Sequence, residues 1–166
     1  MTLTFLISTL VFVSHIAFVI VAALILLKVR RVKAFFHANA LRFSLLITAS
    51  VVAGSMFFSN VLGWEPCVLC WYQRILLFPQ VVLFGIATWR NDRSIFLYTV
   101  PLSVIGGLIA LYHALLPYFP SASFCDATVS CTKLFTMDYG YITIPVMSLT
   151  AFVLLLGLAW VGKKQV

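Results

Sequence analysis

The sequence predicts an all-α polytopic membrane protein, and three observations carry that prediction. Of its 166 residues, 63% are hydrophobic and 9% charged, with a mean hydropathy of +1.12. A soluble domain carries about 25% charged residues and could not cover so much apolar surface. Five segments have the roughly 20 apolar residues that a helix needs to cross a bilayer core. The basic residues, finally, sit in short clusters between those segments. The net charge of +7 therefore reads as the positive-inside pattern and not as a nucleic-acid footprint.

The first segment, Leu3–Leu27, lacks the basic start of a signal peptide and exceeds the usual 7–15 apolar residues of its core. A basic cluster follows it, as an anchor with its N-terminus outside requires. The next segments are Phe43–Leu62, Trp71–Trp89, Ile95–Leu116 and Tyr141–Val161. Their connections read as loops: the basic "KVRRVKAFFHANALR", then "GWEPCVLC", "RNDR", and the longer "PYFPSASFCDATVSCTKLFTMDYG".

Charge sets the orientation. Lys28, Arg30, Arg31, Lys33 and Arg42 lie in the first connection, Arg90 and Arg93 in the third, and Lys163 and Lys164 in the tail, so nine of the eleven Lys and Arg share one side. That side is expected to be cytoplasmic, with the C-terminus on it. Arg74, Lys133, Glu65, Asp126 and Asp138 fall opposite. Cys67 and Cys70 lie in the second connection and Cys125 and Cys131 in the fourth. With two helices between those loops, both pairs face the extracytoplasmic side, where disulfides persist.

The Cys-x-x-Cys pair at the head of a helix has the spacing of a redox-active short-loop disulfide. With the third helix expected to begin near Cys70, that sulfur would lie beside free backbone N–H groups, which favour a thiolate. Arg74, four residues on, shares its helical face and carries a charge it cannot shed. It could support a thiolate or a developing anion; the blander reading is an arginine snorkelling to headgroups beside a static staple. Cys125 and Cys131 enclose "DATVS" in a loop with Pro117, Pro120, Ser121 and Ser123, expected to be irregular and water-exposed. Alone this pair reads as structural; together with the first it suggests a relay. Four cysteines also allow zinc, but the Cys-x5-Cys half is loose and an oxidising compartment opposes free thiolates. Haem attachment needs a histidine where Trp71 stands.

No nucleotide motif is present to accept electrons. A lipid-soluble quinone reaching Cys70 from the bilayer, near Arg74, Trp71 and Tyr72, is the economical acceptor. His113, near the outer end of the fourth segment, could bond a quinone oxygen or simply a neighbouring helix. His15 reads as an interhelical hydrogen-bond residue, His37 as a solvated loop residue, and Pro79 with Gln80 as a kink and its polar satisfaction.

At "CVLCWYQRILLFP" the sequence resembles the bacterial disulfide bond formation family, DsbB and its shorter BdbC relatives. "LYHALLP" and "GYITIPVMSLTAF" look like the family's later segments, and "CDATVSC" like the compact second pair of the shorter members. The resemblance covers about Phe43 to the C-terminus. It implies a four-helix transmembrane bundle, and the first apolar segment departs from that pattern as one additional N-terminal transmembrane helix. Residues 1–40 would hold that helix and a basic cytoplasmic loop, and 41–166 the DsbB-like membrane domain. It further implies a multi-pass enzyme of the bacterial inner membrane. A reduced DsbA-type thioredoxin-like protein would attack Cys125, Cys131 would pass to Cys67 or the partner would resolve its own link, and Cys70 would be released against a ubiquinone or menaquinone supported by Arg74. The competing class is a non-enzymatic scaffold or assembly factor whose disulfides brace its outer loops.

Overall fold

The computed structural model describes residues 2–27, 29–119, 125, 131 and 137–163. Lys28, Lys164 and the loop residues Pro120, Ser121, Ser123, Asp126 and Lys133, on which the orientation and loop readings partly rest, lie outside the described residues. The helices are α1 (Thr2–Leu26), α2 (Arg30–Asn60), α3 (Val68–Arg90), α4 (Phe96–Leu115, entered through a 3-10 turn at Arg93–Ile95) and α5 (Ile144–Gly162). Each includes a stretch long and apolar enough to cross a membrane, as the five segments predicted.

The first connection is a correction. It is helix from Arg30 onward, so α2 runs 31 residues, roughly 46 Å at 1.5 Å per residue. Apolarity falls off before Phe43 because of the charges, but helix propensity does not. Ala34, Ala38, Ala40 and Leu41 continue the helix, and Ala40 and Leu41 are buried against the bundle. His37 is accordingly not a loop residue: it lies in α2 with a ring nitrogen 2.8 Å from Arg93 Nη1. The third helix starts at Val68, with Cys67 as its N-cap. Asn91, in the left-handed region at φ 49°, ends it and donates its N–H to the last carbonyls, a role few residues besides Gly and Asn take. Asp92 then caps the next turn by accepting from Ser94 N–H, and Pro145 starts α5, where its missing N–H costs nothing.

Helices α2, α3, α4 and α5 form a closed ring, each packed on the next and α5 back on α2, while α1 lies outside, against α2 and α5. The interior is layered. At the basic end Ala40, Leu41, Phe84, Ala87, Phe96, Leu155 and Ala159 pack together. Leu77, Ala110, Ala151 and Phe152 fill the middle. Cys67, Leu116 and Cys131 close the other end. Of the buried polar side-chain atoms described, Ser44 Oγ and Thr88 Oγ1 have no partner; the buried amides and imidazoles are bonded, as a lipid-embedded bundle favours. Gln80, fully buried, donates to the Leu76 carbonyl in the turn that Pro79 disturbs and accepts from Ser103. His15 bridges α1 to α5, 2.6 Å from Thr150 Oγ1 and 3.1 Å from the Tyr141 hydroxyl.

Small residues set the α4–α5 distance. A Cβ on Gly106 would come within 2.3–2.9 Å of the Phe152 ring, whereas one on Gly107 would meet Phe152 only at 3.6 Å. Gly106→Val is therefore expected to destabilise the bundle by about 1–3 kcal/mol through overpacking. The thermal unfolding temperature in detergent should fall for Gly106→Val and stay near wild type for Gly107→Ala.

Candidate redox site

Both cysteine pairs meet at one end of the bundle. Cys67 and Cys70 are free thiols with sulfurs 3.0 Å apart. Cys125 and Cys131 are joined in a disulfide. Cys67 and Cys131 are both buried, and Cys70 and Cys125 half-buried, in one cluster with Leu116. The expectation of an exposed loop pair is thus corrected: Cys125 is the reachable member, while Cys131 is packed inward toward Cys67. The Cys67 sulfur, a His113 ring nitrogen and the Cys131 sulfur lie within 4.8 Å of one another. With Cys131 committed to a disulfide, the trio is a contact between two redox pairs and not a set of three metal ligands.

The helix start favours a different sulfur from the one anticipated. Because Cys67 is the N-cap, its Sγ accepts from the Cys70 backbone N–H at 3.4 Å, using one of the donors every helix N-terminus leaves unpaired. His113 Nε2 stands 3.6 Å from the same sulfur and 3.2 Å from the Cys131 carbonyl oxygen. A carbonyl only accepts, so Nε2 must carry the proton. Nδ1 of the neutral ring then accepts, and the Gln73 side-chain amide is 3.1 Å away to donate. Gln73 and His113 are both buried. Gln73 thus fixes the tautomer that aims an N–H at Cys67. The Cys70 thiol hydrogen bond, followed by His113 and the backbone N–H, outweighs burial and holds the Cys67 thiol far below its ordinary range, at about 4.

A thiolate persists above its pKa. Cys67 of the reduced protein is thus expected to be alkylated by iodoacetamide at pH 6, where an ordinary thiol is nearly inert. His113→Ala should shift the pH profile of that labelling upward, as read by mass spectrometry of the Cys67 peptide.

Arg74 is held, not trailing. Its Nε donates to Ser55 Oγ at 2.9 Å and its Nη2 to the Ser55 carbonyl at 3.0 Å and to Ser59 Oγ. Its guanidinium lies 5.3 Å over the Trp71 ring, in cation–π range. A cavity of about 450 Å³ opens beside it, reached by Cys67, Cys70, Gln73, Arg74, His113 and Cys131 and otherwise mainly apolar. Trp71 does not line this cavity; it is exposed on the outer surface. Of the anticipated residues, the structure brings together the four cysteines, Arg74 and His113. It adds Gln73, Ser55 and Ser59, which the sequence reading had not singled out.

A family model described as disulfide bond formation protein DsbB matches residues 37–162. The chain belongs to this family. It is 37% identical over 116 residues to disulfide bond formation protein C of Bacillus subtilis (strain 168), covering 68% of this chain and 84% of that one. It is 42% identical over 120 residues to a probable disulfide formation protein of Chlamydia caviae, covering 71% and 87%. A probable disulfide formation protein of Chlamydia pneumoniae is 39% identical over 132 residues, covering 78% and 96%. No solved structure matches the chain. Membership and the two cysteine pairs give this polytopic membrane protein a role in disulfide redox chemistry. All of α1 lies before the matched region.

Proposed function

We propose that the chain is a thiol:quinone oxidoreductase of the bacterial inner membrane, with residues 41–166 as its catalytic unit and the cysteine end extracytoplasmic. It reoxidises a thioredoxin-like, DsbA-type dithiol protein and so sustains disulfide formation in exported proteins. The observation that carries this reading is the packing of both cysteine pairs into one cluster bordering the cavity beside Arg74.

The partner's thiolate attacks the half-buried Cys125, breaking the Cys125–Cys131 bond and releasing Cys131 as a thiolate. Cys131, already against Cys67, attacks it in the Cys67–Cys70 disulfide and displaces Cys70. The partner's second thiol then closes its own disulfide and frees Cys125. Cys125 attacks Cys131, restoring the loop disulfide and releasing Cys67. The partner has lost two electrons and two protons, and the Cys67–Cys70 pair holds both electrons. In this scheme His113, fixed by Gln73, steadies Cys67 as nucleophile and leaving group, so it acts through the cysteine. Arg74 offers fixed positive charge at the cavity where Cys70 is presented. A quinone suits a largely apolar cavity with the Arg74 cation and the Cys67 and Cys70 thiols at its wall, and when bound it supplies a two-electron, two-proton sink.

The test follows quinone absorbance as purified protein in detergent receives a reduced thioredoxin-like partner and a soluble ubiquinone or menaquinone analogue. One quinone consumed per partner disulfide formed supports the reading. A folded protein that consumes neither quinone class returns the chain to the scaffold reading.

A further inference from the structure

The additional helix α1 has a place in this scheme that the four-helix ring alone does not provide. Its outer half is fastened to the segment leading from the cysteine loop into α5. Ser8 donates to Asp138 at 2.5 Å, Thr9 lies 2.9 Å from the Tyr139 hydroxyl, and Phe5 and Phe12 stack on the Tyr139 ring. Tyr139 and Gly140 turn back through positive φ of 54° and 77° to present that ring. Fixed there and by His15 to Thr150, α1 lies along the α2–α5 groove instead of drifting off as a separate anchor.

Between α1 and the groove lie two cavities. The first, of about 450 Å³, is the one holding Cys70 and Arg74, and Ile7, Leu10, Val11 and Ser14 of α1 form part of its wall. The second, of about 420 Å³, continues toward the basic end between Ala17, Phe18, Val21, Ala22 and Ile25 of α1 and residues of α2 and α5. Ser14, Ile47 and Leu154 line both. The two spaces are therefore neighbours through shared walls, one polar at its head and the other almost wholly apolar.

We infer that α1 roofs a channel for the polyisoprenoid tail of the electron acceptor, with the head in the first cavity and the tail in the second. This rests on the quinone reading above. The occupant follows from the shape of the space: an amphiphile with a redox-active head beside Cys70 and Arg74 must carry its tail away through apolar surroundings, and the adjoining cavity provides them. A phospholipid acyl chain has the same apolar chemistry, but its charged head would then occupy the redox cavity and compete with the acceptor.

The test compares a long-chain polyprenyl quinone with the same ring bearing only methyl groups, using full-length protein in nanodiscs. Ala22→Phe narrows the second cavity without touching the first. Dissociation constants come from quenching of tryptophan fluorescence, and KM from turnover. Ala22→Phe is expected to weaken binding and raise KM for the long-tailed quinone about tenfold, with the tail-less quinone unchanged. A photoreactive group at the tail end of a polyprenyl quinone should label peptides of α1 around residues 17–25 and of α5 around 157–161, even where a variant folds poorly. Equal effects on both quinones, or labelling confined to added lipid, would overturn the channel. Failure of wild type to bind or turn over even the tail-less quinone would overturn the quinone reading itself, and the channel with it.

Discussion

Cys70→Ser is expected to lower quinone consumption at least a thousandfold while the protein stays folded. The size follows from chemistry and not from packing. An oxygen cannot form a disulfide or hold the two-electron couple with Cys67, and removing one member of a group that acts as a unit costs about as much as removing it all. Cys125 and Cys131 remain intact in the variant, so the partner can still attack. The displaced Cys131 then meets Cys67 as an unpaired thiol. Electrons should stall there after one partner disulfide per protein, and a partner variant lacking its second thiol should accumulate as a mixed disulfide on Cys125 visible on non-reducing gels. The scaffold reading predicts a different pair of results: a lower unfolding temperature and no partner adduct. In the structure Cys67 and Cys70 pack in their cluster as free thiols. Undiminished quinone turnover by Cys70→Ser would remove that cysteine from the relay.

The fold was legible because lipid makes strong demands of sequence. Five apolar runs had to be helices to pair their own backbones, and the interleaved charges ordered them. Misreadings came where apolarity and helicity part company. Residues 30–42 are too charged to resemble a membrane span, yet nothing in them breaks a helix, so α2 simply continues out of the apolar zone. The start of α3 was misplaced for a related reason. The apolar run starts at Trp71, but the backbone turns helical at Val68 with Cys67 as its cap, which moves the N-terminal donors from one sulfur to the other. The meeting of the cysteine pairs was legible as a shared side of the membrane, though not as contact. That contact depends on Cys131 being tucked under the end of α4, and the spacing of "CDATVSC" does not encode it. Gln73 left a faint signal, as a polar residue three positions past Cys70 in an apolar span. Ser55 and Ser59 left one too, four apart on the helix that faces Arg74.

Arg74→Leu is expected to lower the rate of quinone consumption by about 10²–10³, the range for removing a preorganised charge-stabilising donor, while attack of the partner on Cys125 proceeds at its normal rate. The separation follows from where the arginine sits. Its guanidinium is tied by three donor contacts to Ser55 and Ser59 of α2 and lies over Trp71, at the cavity wall shared with Cys70, whereas the half-buried Cys125 that the partner attacks does not line that cavity. A planar fork satisfied at two serines is fixed before the acceptor arrives, so little ordering remains to be done during the reaction. A lysine keeps the charge but cannot reproduce the fork, so Arg74→Lys should fall between leucine and wild type. Ser55→Ala with Ser59→Ala retains the arginine but frees it, and should cost about tenfold in kcat with less effect on KM. Stopped-flow mixing separates the two halves: mixed-disulfide formation with the partner, and loss of quinone absorbance. If Arg74→Leu kept full quinone turnover, the side chain would be an anchor to the headgroups, and its three contacts with α2 would be serving only the packing of α3.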